Sequence, residues 1–308
     1  MDKNLVGKRV KVSDVGVLIL AYNRPEMLQK RIKELSNNKI SNLFISIDGG
    51  RSSHSPEMES TKDFAKLAFK KTKNFNLNHH KKNLGMVKHI TREISNVLAK
   101  HKYVIVVEDD VKIVDNFIEN MISGINLQNR LGLNGIVSGW SPLYAKKLSN
   151  RWRVTTYPFI WGWACSRKTW NSYTYDLSKI DIEKELLCSE SWHKLSNYQK
   201  TKWLSYFKKT QLNPKYTWDA QLFFLLLKNN HSNLSPIFSI TGNEGFNDIR
   251  AVHTKGRKPR AIKNKKINES TIFKLNRFSK LIEIVDKIYM NDYKILNQLI
   301  RRVLFTKF

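Results

Sequence analysis

The stretch that decides the fold is Tyr103-Val-Ile-Val-Val-Glu108-Asp109-Asp110, an apolar run that ends in three consecutive carboxylates. A continuous apolar run of this length predicts a buried strand of a mostly parallel sheet. Carboxylates that directly follow such a strand lie at the sheet edge where open α/β folds bind ligands. Three adjacent acids repel one another, and a divalent cation shared with substrate phosphates relieves that repulsion. The stretch therefore indicates a metal-assisted nucleotide site, with a solvated acidic turn as the alternative.

Apolar strands and amphipathic helices alternate on both sides of this stretch, as in βαβ units. We predict strands over 15–21, 43–47, 74–78 and 103–107, and helices over 25–35 and 86–99. The fold class is therefore α/β, with an open, mostly parallel central sheet, helices on both faces and an active rim at the polar strand ends.

The second half has shorter strands, aromatic loops and longer helices. We predict a strand over 135–139, an edge strand over 153–157, a helix over 219–227 and a closing strand over 234–241. Between them lies the aromatic run 159–164, in which Trp161 and Trp163 flank Gly162. Core packing is one interpretation of this run. The other is a sugar site, because a glycine lets a ligand approach the backbone between aromatic walls.

The composition narrows the class of protein and its partners. The chain has 308 residues, is 41% hydrophobic and carries a formal charge of +28, which indicates a globular protein with a polyanionic partner. Nucleic acid, an anionic membrane surface and a phosphorylated substrate all fit this charge, and a coding bias toward Lys and Asn is the alternative. No signal peptide or membrane span is predicted, and Cys165 and Cys188 have no metal spacing. We expect a cytoplasmic protein, or one that is peripheral on the cytosolic face of the inner membrane.

The C-terminal stretch differs from the rest, so we divide the chain into a catalytic domain over 1–254 and a basic, partly helical extension over 255–308. The extension holds 15 Lys and Arg against 4 Asp and Glu. Its last part predicts an amphipathic helix with the apolar residues Ile295, Leu296, Leu299, Ile300, Val303 and Leu304. Such a helix fits either an anionic membrane interface or docking on the catalytic domain.

Transfer of a sugar from a nucleotide diphosphate requires a cation, residues that bind the nucleotide, and a general base for the acceptor hydroxyl. The chain has candidates for each. Glu108, Asp109 and Asp110 suit Mn²⁺ or Mg²⁺, since oxygen ligands suit these ions. Asp48 and the Asn23-Arg24 turn follow two strands and are candidates for base and phosphate. Each assignment has a structural alternative, because Asp48 also suits a turn cap.

Two further candidates come from the second half of the chain. Asp219 begins the predicted helix after Trp218 and is a candidate general base. His253 is a candidate imidazole ligand to the metal. The alternatives are that Asp219 only complements the helix dipole and that His253 is structural.

Seven motifs in chain order carry a family resemblance. They are Leu18-Ile-Leu-Ala-Tyr-Asn-Arg-Pro25, Ser46-Ile-Asp-Gly49, Asn83-Leu-Gly85, Val107-Glu-Asp-Asp110, Trp161-Gly-Trp-Ala164, Thr217-Trp-Asp219, and Gly245-Phe246 through His253-Thr254. The series resembles GT-A glycosyltransferases. More narrowly, it is similar to bacterial family-2-like enzymes and to the N-acetylglucosaminyltransferase type with a Glu-Asp-Asp form of the acidic motif. The resemblance covers about residues 15–254.

The resemblance implies a role for each matching residue. Asp110 coordinates the metal, and His253 approaches the metal or the diphosphate from the C-terminal side. Asp109 contacts the ribose or the ion's waters, and Glu108 supports them. Asp48 faces the base, and Asp219 is the catalytic base of an inverting transfer, with retention as the stereochemical alternative. Asn23, Arg24, Trp161, Gly162 and Trp163 belong to the donor site. The chain departs from the pattern at Ile249-Arg250-Ala251, where small residues are expected, so Arg250 is a candidate to hold the diphosphate instead.

The implied function is a metal-dependent transfer, with Mn²⁺ or Mg²⁺, from a nucleotide-diphosphate-sugar to a glycan or lipid-linked glycan, as in bacterial surface polysaccharide synthesis. A nucleic-acid-binding protein is one alternative, but no recognition motif with interleaved aromatics is present and no nucleic acid is expected. A nucleotidyltransferase with the same acids is another. It would need a glycine-rich loop after the first strand, and Tyr22-Asn-Arg-Pro25 has no glycine.

Overall fold

The computed structural model describes residues 9–142, 151–246, 248, 250, 266 and 267. Its strands are Val15–Ala21 (β1), Asn42–Ile47 (β2), Asn74–His79 (β3), Tyr103–Glu108 (β4), Val111–Ile113 (β5), Val137–Ser138 (β6), Trp152–Thr155 (β7), Trp163–Ser166 (β8), Asn233–Pro236 (β9) and Thr241–Asn243 (β10). Its α-helices are Pro25–Ser36 (α1), Pro56–Ala68 (α2), Met86–Lys100 (α3), Phe117–Arg130 (α4), Arg167–Trp170 (α5), Ile182–Leu187 (α6), Glu190–His193 (α7), Asn197–Leu212 (α8) and Asp219–Lys228 (α9).

A large, mostly parallel sheet flanked by helices forms the centre of the molecule, which confirms the predicted fold class. The eight-stranded sheet has the order β3-β2-β1-β4-β8-β6-β9-β7. Strands β3, β2, β1 and β4 are mutually parallel, whereas β8 and β7 are antiparallel to their neighbours. A separate two-stranded sheet pairs β10 with β5, directly after the acidic triplet. It therefore fixes the backbone that follows Asp110.

The continuous apolar strands arise because both faces of the sheet are covered. Every residue of β1 is buried. Alternate residues of β1 and β4 belong to two different apolar clusters, one with α1, α2 and α4 and the other with α3 and α9. Burial of apolar side chains on both faces is what a parallel sheet between helix layers requires. This arrangement holds the ends of β1, β2 and β4 at fixed positions along one edge.

Several predicted boundaries in the second half differ from the structure. The strand predicted over 135–139 has only Val137–Ser138 in ladder geometry. The strand predicted over 234–241 is two strands in different sheets, β9 and β10. The edge strand predicted over 153–157 is confirmed as β7 at the edge of the large sheet, but it begins one residue earlier and ends two residues earlier. The aromatic run was not predicted as a strand, but its end forms β8 between β4 and β6.

The part of the predicted extension that the structure describes packs against α4. Ile267 is buried, and its backbone N–H donates to Asn120 Oδ1 of α4 at 2.8 Å. The predicted amphipathic helix over 295–304 lies outside the described residues. Within the described ranges, no helix has the length and apolar character needed to cross a bilayer.

Trp163 joins the two halves of the sheet, and its loss should destabilise the fold. The side chain is fully buried in β8 and stacks on Trp218 with ring centroids 5.5 Å apart. We expect Trp163→Ala to lower the free energy of unfolding by about 3–5 kcal/mol, as measured by urea denaturation. Trp163→Phe is the matched control and should cost less, because it keeps a ring and removes an indole N–H that has no hydrogen-bond partner. A loss below about 1 kcal/mol for Trp163→Ala would contradict this core role.

Candidate active site

A cleft of about 630 Å³ opens at the carboxyl ends of β1, β2 and β4. In the strand order β3-β2-β1-β4, β1 has β2 on one side and β4 on the other. Open α/β sheets bind ligands at such a switch point. The predicted site residues that line the cleft are Asn23, Arg24, Asp48, Glu108, Asp109, Asp110, Trp161, Asp219 and Arg250.

Two carboxylates of the acidic triplet converge on the guanidinium of Arg24. Arg24 Nη1 donates to Asp109 Oδ1 at 3.2 Å and to Asp110 Oδ2 at 3.0 Å. The backbone N–H of Tyr22 donates to the other Asp109 oxygen at 3.4 Å. Arg24 therefore occupies the point between the acids where a cation is most favoured. Its buried Nε has no hydrogen-bond partner, so the resting position does not satisfy the whole guanidinium.

The cluster carries more negative charge than one guanidinium balances. Burial, with the charge of Asp110, raises the pKa of Asp109 to about 7, although Arg24 opposes the rise. Burial raises the pKa of Glu108 to about 8, with contributions from Asp110, Asp109 and Asp219. Removing carboxylates from water disfavours their charged forms, and a second cation would restore them. The site therefore favours an added positive charge.

The residues fit a divalent ion that arrives with a phosphorylated ligand. Among the described residues, no group of three or more His, Cys, Asp or Glu side chains is arranged to hold a metal ion. Asp109 and Asp110 nevertheless present one oxygen each to a single point, the position of Arg24 Nη1. Mg²⁺ is commonly held by one or two carboxylates plus substrate phosphates and water. Two convergent carboxylates suffice for that mode. His253, the predicted third ligand, lies outside the described residues.

Asp48 is buried at the end of β2 and fixes the loop before α3. Its Oδ1 accepts from the backbone N–H of Gly49 at 2.9 Å and of Leu84 at 2.8 Å. Its Oδ2 accepts from the N–H of Gly85 at 3.1 Å. Gly85 has a φ of 79°, which favours glycine. Asp48 thus shapes the cleft wall by holding this loop, and its contact with a nucleotide base stays a prediction.

His89 is a cleft residue that the sequence analysis missed. It lies on α3, is buried, and has its Nε2 2.9 Å from Ser46 Oγ. Burial lowers its pKa to about 4, with Asp48 opposing and His80 reinforcing this effect. The ring is therefore neutral near pH 7 and offers a hydrogen bond without charge. The sequence feature that could have identified it is its place in the first turn of the predicted helix that follows the Asn83-Leu-Gly85 turn.

The buried His89 should make stability depend on pH. The unfolded chain binds a proton at this ring below about pH 6.5, whereas the native ring stays neutral down to about pH 4. The contribution of His89 to the free energy of unfolding therefore falls as the pH falls from about 6.5 to about 4. His89→Gln keeps a polar partner for Ser46 but does not titrate. Relative to His89→Gln, we expect wild type to lose up to about 3 kcal/mol of unfolding free energy when the pH is lowered from 7 to 4. Urea denaturation at each pH measures it, and an unchanged difference would contradict the buried neutral ring.

Asp219 enters the same cleft from a different element. It is the first residue of α9, and the Thr217 hydroxyl donates to its Oδ1. The preceding residue, Trp218, is buried against Trp163, which anchors the start of the helix. Asp219 lies near enough to Glu108 to contribute to the raised pKa of that carboxyl. A carboxylate is thus held across from the acidic triplet.

Arg250 links the segment after β10 to the turn after β1. Its Nη1 donates to the Asn23 carbonyl at 3.2 Å, and it pairs with Asp248 at 3.0 Å and with Glu26. The hydrogen bond from Arg250 holds the pKa of Asp248 at about 2. Arg250 lines the cleft, but its guanidinium has internal partners. Its predicted contact with a diphosphate would require some of them to be exchanged.

The aromatic run divides between the cleft and the core. Trp161 lines the cleft and packs edge-on against Trp140, with ring centroids 4.7 Å apart. Gly162 has a φ of 67°, and a Cβ there would lie 2.7 Å from Thr241 Cγ2. Trp163 is fully buried. The structure therefore places only Trp161 of this predicted trio at the cleft, and it places Gly162 and Trp163 in the packing behind it.

No protein-family model and no curated protein matches this chain. Among solved structures, it is similar to the mannosyltransferase PcManGT from Pyrobaculum calidifontis, in complex with GDP-Man and Mn²⁺, at 12% identity over 51% of this chain and 46% of that one, with a TM-score of 0.39. It is also similar to residues 1–349 of S. aureus TarS, at 9% identity over 73% and 58% of the two chains, with a TM-score of 0.41. A third similar structure is described as a glucose-1-phosphate thymidylyltransferase from Bacillus anthracis. It is 12% identical over 63% of this chain and 83% of that one, with a TM-score of 0.34. The matches thus span about half of the first structure and 58% of the second, and these likenesses concern the fold.

Proposed function

We propose that this protein is a metal-dependent, inverting glycosyltransferase that moves a sugar from a nucleotide-diphosphate donor to a hydroxyl of a glycan acceptor. One observation carries the proposal. Asp109 and Asp110 converge on a single cation at the ends of central parallel strands, while Asp219 enters the same cleft from a separate helix. The resemblance of seven ordered motifs to GT-A glycosyltransferases supports the same function.

The acidic end of the cleft suits the donor. When bound, Mn²⁺ or Mg²⁺ supplies charge stabilisation for the departing diphosphate. In our proposal, Asp109 and Asp110 hold that ion, and Arg24 turns from the carboxylates toward the phosphates. Asn23 and Asp48, at the neighbouring strand ends, bind ribose and base. Asn23, Asp48 and the two acids are held at strand ends, so the turn of Arg24 is the main rearrangement that donor binding requires.

Asp219 is proposed to accept the proton of the acceptor hydroxyl. As that oxygen bonds to the anomeric carbon, the bond from this carbon to the diphosphate oxygen breaks, and its electron pair leaves with the nucleoside diphosphate. The Thr217 hydroxyl orients the carboxylate that takes the proton. Attack opposite the leaving group inverts the anomeric configuration. The products are the glycosylated acceptor, the nucleoside diphosphate and a proton.

A glycan or lipid-linked glycan of a bacterial surface polysaccharide is the proposed acceptor. The net charge of +28 favours binding to an anionic membrane surface. Each Lys or Arg near that surface contributes roughly 1 kcal/mol to the binding. The extension over 255–308 is the proposed contact with that surface, on the cytosolic side of the membrane.

A screen of donors tests the proposal. Purified protein is heated with UDP-, GDP- and dTDP-sugars, with and without Mn²⁺, and donor hydrolysis is measured in parallel. We expect one nucleotide-diphosphate-sugar to raise the melting temperature only when Mn²⁺ is present. A CMP-sugar is the matched control, because its single phosphate cannot chelate the ion as a diphosphate does. No response to any donor would overturn the proposal, and tight salt-sensitive binding of nucleic acid would then favour the nucleic-acid-binding alternative.

A further inference from the structure

Tyr206 lies beside Asp219 in the cleft, and Tyr216 contacts Tyr206. Tyr206, on α8, lines the cleft, and Tyr216 lies in the short connection between α8 and α9. Their ring centroids are 5.7 Å apart at 71°, and their hydroxyls are hydrogen bonded. Burial and then the charge of Asp219 raise the pKa of the Tyr206 hydroxyl, so this side chain lies close to the proposed base.

Tyr206 and Tyr216 together form an aromatic wall, and other aromatic residues pack behind it. Trp203 packs edge-on against Tyr206 at 5.9 Å and against Phe223 of α9 at 4.5 Å. The backbone N–H of Tyr216 donates to the Asn213 carbonyl at 2.9 Å, which fixes the turn that presents its ring. A rigid side chain loses little conformational freedom on binding. The two rings therefore form a surface that exists before any ligand arrives.

Core packing does not explain this wall. Tyr216 is 43% exposed, although the aromatic cluster behind it is buried. Tyrosine pairs an apolar face with a polar tip, and this combination suits a ligand that is apolar on one side and hydroxylated at its edge. A pyranose ring has that character, since one face presents C–H groups and the rim presents hydroxyls.

We propose that Tyr206 and Tyr216 form the acceptor subsite, which binds a pyranose ring of the acceptor glycan and presents one of its hydroxyls to Asp219. This inference rests on the proposed function and adds the place and chemical class of the acceptor. The donor then occupies the other part of the cleft, with Arg24 and the acidic triplet. The aromatic wall selects a sugar over a simple alcohol or water, because neither of these covers the ring faces.

The test uses the full chain with the donor identified above and a panel of p-nitrophenyl pyranosides as acceptors. Transfer rates give KM and kcat for the best glycoside, and saturation-transfer NMR detects its binding directly. We expect Tyr216→Ala to raise the KM for the glycoside roughly tenfold and to weaken its saturation signal, because the ring face is lost. Tyr206→Phe keeps the ring and should raise the KM less. Tyr198→Ala is the matched control, since Tyr198 is an exposed tyrosine that lies eight residues before Tyr206 on α8, outside the Tyr206–Tyr216 pair.

The donor-induced thermal shift tells the two proposals apart. If the donor stabilises wild type but Tyr216→Ala changes the glycoside KM and saturation signal no more than Tyr198→Ala does, the acceptor subsite is refuted and the proposed function stands. If no glycoside saturates the wild-type protein with donor present, the subsite is refuted too. If no donor stabilises the wild-type protein, the proposed function fails, and the inference that rests on it falls as well. A rise in KM confined to Tyr216→Ala and Tyr206→Phe supports the subsite.

Discussion

Asp219→Asn should reduce sugar transfer by about 10²- to 10⁴-fold, the usual contribution of a positioned general base. The amide has nearly the same shape as the carboxylate and still accepts a hydrogen bond from Thr217, but it cannot take a proton from the acceptor. Binding of the donor involves the opposite end of the cleft in our proposal. We therefore expect the Mn²⁺-dependent thermal shift to persist in the variant while kcat falls.

A purely structural role of Asp219 gives a different result. A carboxylate in the first helical turn stabilises the helix dipole by about 0.3–1 kcal/mol, so its loss would lower stability slightly and leave kcat unchanged. Asp181→Asn is the matched control, because Asp181 caps α6 through a hydrogen bond from the Lys184 N–H. Both variants should show similar small changes in melting temperature. Turnover of Asp219→Asn within a few-fold of wild type would show that Asp219 is not the base.

The amino-acid sequence is enough to predict the first half of the sheet and the position of the candidate site. Strands β1, β2 and β4 are buried between helix layers, so their sequences are mostly apolar and are followed directly by polar residues at the sheet edge. Parallel strands bring those ends to one edge. Residues as far apart in the chain as Arg24 and Asp110 can therefore be assigned to one site from the strands that they follow.

The second half is harder to predict because its geometry depends on tertiary contacts. Trp161 and Trp163 are two residues apart, as on one face of a strand, but the positive φ of Gly162 breaks the extended backbone between them. Only the second tryptophan therefore enters β8. The strand predicted over 234–241 divides because Ile237 and Ile240 donate their N–H groups to Arg151 and Gly139 outside either ladder. No local pattern encodes such partners.

The ion pair between Arg24 and the acids was likewise absent from the sequence prediction. The family resemblance assigns Arg24 to the donor and Asp110 to the metal, which is the arrangement that we propose with ligands bound. The structure shows the same groups satisfying one another. The pairing is physically reasonable, because buried carboxylates without a cation would protonate or repel one another. In our proposal, the metal and Arg24 therefore compete for one position.

Asp110→Ala should abolish Mn²⁺-dependent binding of the donor and, with it, sugar transfer. Asp110 supplies one of only two convergent carboxylate oxygens found in the described part of the site. Loss of a group that merely orients a metal ligand weakens binding 10- to 100-fold, so loss of a ligand should cost roughly 10²-fold or more in Mn²⁺ affinity. The paramagnetic resonance signal of free Mn²⁺, titrated with protein and the nucleoside diphosphate, measures this without any turnover.

Two further variants separate a lost ligand from a lost charge. Asp63→Asn removes the same charge from an exposed position paired with Lys66, and it should bind Mn²⁺ like wild type. Arg24→Gln removes the competing cation, so without nucleotide it should bind Mn²⁺ at least as tightly as wild type, whereas Asp110→Ala should bind it more weakly. Opposite changes in these two variants would identify Arg24 as the resident cation and Asp110 as a metal ligand. Equal Mn²⁺ affinity in Asp110→Ala and wild type would exclude Asp110 from the metal site.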